Sequence, residues 1–579
     1  MTSLFTRVQR PDAQSKGRGV RSRLPRIFGE GRKISILLVA VLALGQGIAA
    51  GVAAFATRDV FAAFRENDAI LPTLALALIV IGGLAIAVLR VGERLLAERV
   101  GQDYAASLRL KLFKHLSRMS ARSVSQRRKG ALAMRFVGDL ASVRGWVSLG
   151  VARLISACIL LPVTGVVLYL LNPKLATAAA VPIALGLIAM TLIGPSLGPA
   201  HKRLRARRAR LAADMSERVP HAPELRLLGR SEIETSHLRR RTKKLVASAL
   251  ERARGAAVLT AIPDVISGLA AAAVFWTALR AGASGADAAG AMAAVGLLIQ
   301  PIRDLAGVWD RHRAWIAARD KCDAMLAAPK LELPNDKPAA PLPSVPCSLR
   351  FTNVSAGLLN DVTITAEPGQ KIAIVGGNGA GKSTLLGLAA GLEQPDNGRV
   401  LLGDRNPVGL SAKERRSLLS LVGKHSPILA GSLRRALTMG VSDRPDDSKI
   451  LAAADTFGLC ETIDRLGGLD EKVSEAGRNL SAGEARRLLL ARAALADPKL
   501  MLLDEPDDAL DTDGPDLIEN LVRQSDATAL VITHNLAVAR RMDLIWFIED
   551  GKILEIGPPE VLLTCEGPTN RFFAPRRVA

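Results

Sequence analysis

Six long apolar runs dominate the first 310 residues of this 579-residue chain, near 34–57, 69–89, 154–171, 175–197, 256–279 and 288–309. Each is close to the ~20 residues that a helix needs to cross a bilayer. The polar connections between them alternate in length. The first, third and fifth are short ("RENDA", "NPK", "RAGASGA"), whereas 90–153 and 198–255 are long and rich in Arg and Lys. In these long connections apolar residues recur at helical spacing, as in "ERLLAERVGQDYAASLRLKLFKHLSRM". That pattern predicts helices that run on past the membrane, turn and return.

The texture changes after 326. The stretch 327–347 is proline-rich and aperiodic and reads as a linker. From Ser348 onward, short apolar runs ("KIAIV", "LMLLDEP", "ALVITH") alternate with helical patterns, which predicts an α/β domain with a parallel sheet over 348–579. The expected architecture is therefore an α-helical membrane domain of six spans, 34–326, extended into the cytoplasm and followed by that α/β domain. A basic segment, 1–33, precedes the first span. The apolar run after it is too long for a signal-peptide core, so it stays as a span.

The formal net charge is +22. A nucleic-acid partner is one reading of such a charge. The basic clusters, however, flank the spans where the positive-inside rule places them. No nucleic acid is expected; the bilayer is. With an even number of spans, both ends and both long connections fall on the cytoplasmic side, and a bacterial cell (inner) membrane is the expected location. Mean hydropathy is +0.22, an average over an oily first half and a polar second. The five cysteines are far apart and form no metal-ligand spacing, so free thiols are expected.

Gly376-Gly377-Asn378-Gly379-Ala380-Gly381-Lys382-Ser383, with Thr384 next, fits GxxxxGK[ST] between an apolar strand and a helix. Backbone N–H groups of such a loop cradle phosphates, the helix adds its positive end, Lys382 supplies a charge and Ser383 a Mg²⁺ ligand. This makes the α/β domain a P-loop nucleotide-binding domain with ATP and Mg²⁺ as expected ligands. In "KLMLLDEP" a buried strand ends in Asp504, a second candidate Mg²⁺ ligand, and Glu505, placed to deprotonate a water. "LVITHN" ends another strand in His534.

"NLSAGEARRLLLARAALADPKLMLLDEPDDALD" resembles the signature region of ATP-binding cassette (ABC) proteins, and 348–579 carries that family's motifs in order. The six spans with two long excursions resemble the type I exporter fold over 34–326. "KGALAMRFVGDLASVRGWVS" and "MSERVPHAPELRLLGRSEIE" stand where the family has the regions near its coupling helices. The resemblance implies a half-transporter that pairs with a second one, as homodimer or heterodimer. Each ATP then lies between one phosphate loop and the partner's signature, where Ser481 and the N–H of Gly483 cap the γ-phosphate. It also implies that Glu475 in "VSEAGRN" contacts the coupling helices and that Asp511 in "DALD" joins the two sites. An exported substrate of unknown identity is implied as well.

The chain departs from the family at three places. Lys424 in "VGKHSPILAGSL" stands where a glutamine usually is, and an ammonium cannot ligate Mg²⁺; it either approaches the γ-phosphate or points to solvent. "FTNVSAGLLNDVTI" has no aromatic residue after Phe351 on which adenine could stack. The signature carries Ala482 and Glu484 where Gly and Gln are usual. Asp264, in the fifth span, and Gln300, Arg303 and Asp304, in the sixth, are candidate translocation-path residues, because charges in a span usually face a wet interior or a partner. Gln300 and Arg303 are expected on one face, lining the cavity, with Asp264 or Asp304 balancing the arginine and an anionic or polar-headed cargo favoured. The alternative places them at the cytoplasmic interface. Six spans argue against a soluble cassette protein of DNA repair or translation, and the fused order points away from an importer. An ATP-gated pore or regulator of the same fold is the other reading kept.

Overall fold

The computed structural model describes residues 23–29, 31–66, 72–127, 129–331, 345–424 and 426–574. Most of the expected basic N-terminal segment and most of the linker lie outside these residues. The chain divides into two compact units, one of Met1–Ser117 with Arg127–Ala328, the other of Arg118–Gln126 with Pro329–Ala579.

The first unit is all helix: α1 (Arg32–Glu66) and α2 (Thr73–Leu116), then, beyond α3 (Ala121–Ser125) of the second unit, α4 (Lys129–Met134), α5 (Leu140–Trp146), α6 (Ala152–Leu171), α7 (Pro173–Ile193), α8 (Gly198–Arg218), α9 (Ala222–Leu227), α10 (Ser231–Ala281) and α11 (Gly285–Leu326). π-Turns at Arg135–Asp139 and Val147–Val151 join α4, α5 and α6, while 3₁₀ turns join α7, α8 and α9. The result, among the described residues, is six helical paths of 32 to 55 residues, each long and apolar enough to cross a membrane. They are much longer than the apolar windows of the sequence. Those windows mark only where a helix meets lipid; the charged continuations are helical between the turns that reverse the chain.

The two described hairpin corners of this unit are made by local chemistry. Asn172 caps α7, accepting from the N–H groups of Lys174 and Leu175 at 3.1 and 3.4 Å, with Pro173 at the first helical position. Gly282, at φ 62°, closes α10, and Ser284 caps α11 through the Asp287 N–H. Much of the packed interior is small residues, among them Ala54, Ala179, Ala270, Ala291 and Ala294, which let backbones approach where lipid offers no hydrophobic drive.

The second unit is built on a six-stranded sheet in the order β11-β10-β3-β9-β8-β5. Its elements are β1 (Leu349–Ala356), β2 (Leu359–Ala366), β3 (Lys371–Val375), α12 (Lys382–Ala389), β4 (Asn397–Leu402), α13 (Ala412–Leu418), β5 (Leu419–Val422), β6 (Gly431–Ser432), α14 (Leu433–Thr438), α15 (Asp447–Thr456), α16 (Cys460–Leu466), β7 (Lys472–Val473), α17 (Ala482–Leu495), β8 (Leu500–Asp504), α18 (Gly514–Arg523), β9 (Thr528–Ile532), α19 (Leu536–Arg540), β10 (Leu544–Glu549), β11 (Lys552–Gly557), α20 (Pro559–Leu562) and α21 (Pro568–Phe573). All neighbours in the large sheet are parallel except β10 and β11. β1, β2 and β4 form a separate antiparallel sheet.

β3 and β9 are buried along their whole length, which is why they read as unbroken apolar runs. Alternate residues feed two cores. Ala373, Val375, Met501, Leu503, Ala529 and Val531 point to the side that packs α14, α15, α17 and α18. Ile372, Ile374, Leu500, Leu502, Leu530 and Ile532 point to the side of β1, β2, β4 and α12. The second unit also holds α3: the Ala121 N–H donates to Leu392 O at 3.0 Å, and Arg122 pairs with Glu393 at 3.0 Å.

Candidate phosphate site and polar membrane cavity

β3, β9 and β8 are adjacent, so three strand ends open on one place. The end of β3 turns into the glycine loop, where a Cβ on Gly376 (φ 153°) would sit 2.0 Å from Ile548 O and only glycine fits. The loop leads into α12, whose first residue is Lys382. The residue is 6% exposed, and its ammonium donates to the carbonyls of Gly376 and Gly377 at 2.7 and 2.9 Å. Burial pushes its pKa down, against the pull of Glu505 and Asp504. Gly377, Asn378, Gly379 and Ser383 are exposed, whereas Ala380 and Gly381 are buried and Thr384 is half-buried.

β8 delivers the acids. Burial raises Asp504, and the Ser383 hydroxyl, which faces it at 3.5 Å, works in the opposite sense. A half-buried carboxylate and a hydroxyl side by side are two hard oxygen donors, so they fit Mg²⁺. Glu505 takes a left-handed backbone conformation (φ 51°) because its N–H is tied to Ile532 O of β9 at 3.0 Å. Strain of this kind is expected only where surrounding structure enforces it. It turns the carboxylate toward His534, whose Nε2 lies 3.5 Å from Glu505 Oε1. Thr533, fully buried, accepts the Asn535 N–H at 2.9 Å and sets where His534 starts.

The signature is elsewhere in the unit. Ser481 caps α17 in a capping box: its Oγ accepts the Glu484 N–H at 3.1 Å, and Glu484 Oε2 accepts the Ser481 N–H at 2.7 Å. The Ser481 hydroxyl proton stays free to donate. Glu484 also accepts from Thr462 and Arg465 at 2.9 and 2.8 Å. Burial would raise its carboxyl, but these donors outweigh burial and bring it to about 2. No hydrogen bond or ion pair among the described residues joins Ser481 or Gly483 to the phosphate loop. Asp511 is exposed in the turn before α18, 3.9 Å from Arg487. Glu475 opens an exposed 3₁₀ turn, and Lys424 is exposed beyond the end of β5.

In the membrane unit the four path candidates split into two groups. Arg303 pairs with Asp264 on α10. Gln300 and Asp304 lie one turn apart on another face of α11, 3.4 Å from each other, and Asp304 pairs with Arg153 at 3.1 Å. The expected sharing of a face by Gln300 and Arg303 is therefore corrected: the i, i+4 pair is Gln300 with Asp304, and Arg303 turns to its own partner. Gln300 and Asp304 line a cavity of about 230 Å³ that sequence reasoning missed, together with Arg90, Arg94, Arg153 and Glu93. Glu93 accepts from Gln46 and Ser156, both buried, at 2.6 and 2.5 Å. Arg90, Glu93 and Arg94 follow the second apolar run directly, where charges are easily dismissed as flanking residues. An apolar pocket of about 610 Å³, lined by Leu161, Met190, Val308 and Trp309 among others, shares Ala157 with this cavity.

Comparison with known proteins bears on both units. The family described as "ABC transporter transmembrane region" matches residues 34–293, and the family described as "ABC transporter" matches 359–508. An ATP-dependent lipid A-core flippase of Desulfotalea psychrophila is 26% identical over 89% of this chain and 92% of its own length. The mycobactin import ATP-binding/permease protein IrtB of Mycolicibacterium smegmatis is 31% identical over 52% of this chain and 53% of its own. The solved structure of a bacterial Atm1-family ABC exporter with ATP bound superposes with a TM-score of 0.81 at 22% identity, covering 95% of this chain and 99% of that one.

Proposed function

The chain belongs to the ABC transporter family, as a half-transporter with membrane and ATP-binding parts in one polypeptide, and we propose that it works as a pair in which ATP hydrolysis drives export or flipping. The observation that carries this reading is the division of the site: Lys382, Ser383, Asp504, Glu505 and His534 converge, while no hydrogen bond or ion pair among the described residues joins Ser481 or Gly483 to them. A second copy, or a related half-transporter, brings its signature to the γ-phosphate, where the Ser481 hydroxyl and Gly483 N–H donate from a helix N-terminus. The α9 turn supports pairing as well, since Leu227 is 87% exposed and its neighbour Leu228 69%.

In hydrolysis, Lys382 exchanges the loop carbonyls for β- and γ-phosphate oxygens, which pair its charge. Ser383 and Asp504 are the residues that would hold Mg²⁺, which would supply positive charge against the same phosphates. Glu505 takes a proton from the attacking water as its oxygen bonds to the γ-phosphorus. The bond from that phosphorus to the β-bridging oxygen breaks, and ADP and inorganic phosphate leave. His534 holds Glu505 and the phosphate in register. Asp511 links the two sites, and Lys424 approaches the γ-phosphate.

We place the ATP side in the cytoplasm of a bacterial cell, because both basic connections lie on that side. The cargo we infer is an anionic amphiphile. Arg90 and Arg94 have no ion-pair partner among the described residues and line the polar cavity, and the adjoining apolar pocket suits a hydrocarbon tail. The half-length likeness to an import protein leaves direction to experiment. The test is reconstitution into vesicles with the cassette outside and a fluorescent phosphate-bearing lipid in both leaflets. ATP should deplete the probe from the outer leaflet, and Glu505→Gln should abolish depletion while keeping ATP binding. ATP hydrolysis without movement of the probe would refute the cargo assignment, and enrichment of the outer leaflet would reverse the direction.

A further inference from the structure

We propose that the C-terminal helix α21 is a positioning element for His534, acting through the ring of Phe572. This rests on the reading of His534 as a hydrolytic residue.

The backbone on either side of His534 is held, but its side chain is not held by polar contacts. Glu505 is the one residue within ion-pair distance of it among the described residues, and 3.5 Å is long for a hydrogen bond that must fix a ring. What the imidazole does have is a face. The Phe572 ring lies against it, centroids 5.7 Å apart and planes at 36°. A tilted aromatic contact at that distance limits how the imidazole can rotate.

Phe572 is itself immobilised. It meets Phe547 of β10 edge-on at 5.9 Å and Phe573 at 5.2 Å. Both Phe572 and Phe573 pack against the core shared with α17 and α18. The helix that carries them is fastened to the sheet edge. Thr569 is fully buried, and its N–H and hydroxyl both donate to Glu555 Oε2 on β11, at 2.9 and 2.5 Å. The Asn570 amide donates to Leu563 O at 2.5 Å. Gly567 passes so close to Glu555 that a Cβ there would lie 2.3 Å from its Oε1. A chain of contacts thus runs from β11 through Glu555, Thr569 and Phe572 to the imidazole. Helix α21, which carries no motif, decides where a motif residue points. A displacement of a hydrolytic group by a fraction of an ångström is enough to lower turnover without touching nucleotide binding.

The experiment uses the full-length protein in vesicles. Phe572→Ala should lower kcat for ATP by about 3- to 10-fold, the range an aromatic contact supports, with KM for ATP within about twofold. Phe572→Tyr, which keeps the flat face, should restore the rate. In a His534→Ala background, Phe572→Ala should cause no further loss. Thr569→Val, which removes the hydroxyl from the latch, should move kcat in the same direction. If Phe572→Ala does not fold, Phe572→Leu replaces it, since it keeps the apolar volume and loses the face. An unchanged kcat, or an equal loss in both backgrounds, overturns the positioning role. If His534→Ala alone leaves kcat unchanged, it is the reading of His534 that fails, and the two failures are told apart by that single variant.

Discussion

Replacing Glu484 by alanine should cost the ATP-binding unit about 2 kcal/mol and lower turnover by misplacing the signature serine. Three partners are lost at once: the Ser481 N–H of the capping box, the Thr462 hydroxyl and the Arg465 guanidinium. The fall of the carboxyl from 4.5 to about 2 sets an upper bound of about 3.5 kcal/mol at roughly 1.4 kcal/mol per pH unit. Glu484 is 24% exposed and Arg465 50% exposed, so solvent takes back part of that, and the ion pair itself contributes below ~1 kcal/mol. The capping box contributes about 1 kcal/mol, and Thr462, which is buried, loses its partner at a similar cost. Thermal unfolding of the full-length protein should shift down by about 4–8 °C for a unit of this size. Glutamine can still close the capping box, so Glu484→Gln should recover more than half of the loss. The sign of the pH dependence is set by a pKa that is depressed on folding. The contribution is present above 4.5 and disappears as pH falls toward 2. The gap between wild type and Glu484→Ala should therefore be constant from pH 8 to pH 5. A gap that closes between pH 8 and 6, or a glutamine variant as unstable as the alanine one, would refute this account.

Co-reconstituting Lys382→Ala with Ser481→Ala subunits should restore part of the ATPase activity that each variant lacks alone, measured as phosphate release. No recovery at any mixing ratio would contradict a shared site in a homodimer. Lys424→Gln should lower the Mg²⁺ concentration needed for half-maximal hydrolysis by severalfold, since an amide oxygen can ligate where an ammonium repels; an unchanged Mg²⁺ titration would mean that Lys424 points to solvent. Arg303→Asp should impair transport and Asp264→Arg in the same chain should rescue it, because the two pair across α10 and α11. In single-cysteine variants, position 300 should react with a water-soluble thiol reagent without nucleotide and be protected after ATP trapping. An inert position 300 would remove Gln300 from the cavity.

Some of this molecule is local in origin and could be read from the chain. Span number follows from apolar run length, because a bilayer demands about 20 apolar residues from any helix that crosses it. The glycine loop, the acidic strand end of β8 and the serine cap of α17 each depend on a few consecutive residues, whose backbone preferences and hydrogen bonds are settled within one turn. Other features depend on residues far apart and have no local trace. Nothing in "LVITHN" says that β9 lies between β3 and β8, yet that order alone brings His534 to Glu505 and ties the Glu505 N–H to Ile532. Arg90, Arg94 and Arg153 look like interfacial charges until helix packing turns them onto one cavity with Gln300. Arg303 and Gln300 share a helix and sit three residues apart, but Arg303 pairs with Asp264 on α10 while Gln300 lines the cavity beside Asp304. Phe572 belongs to no pattern at all. Its role comes from a buried threonine and a glutamate on an edge strand, and only a folded sheet puts them within hydrogen-bond reach.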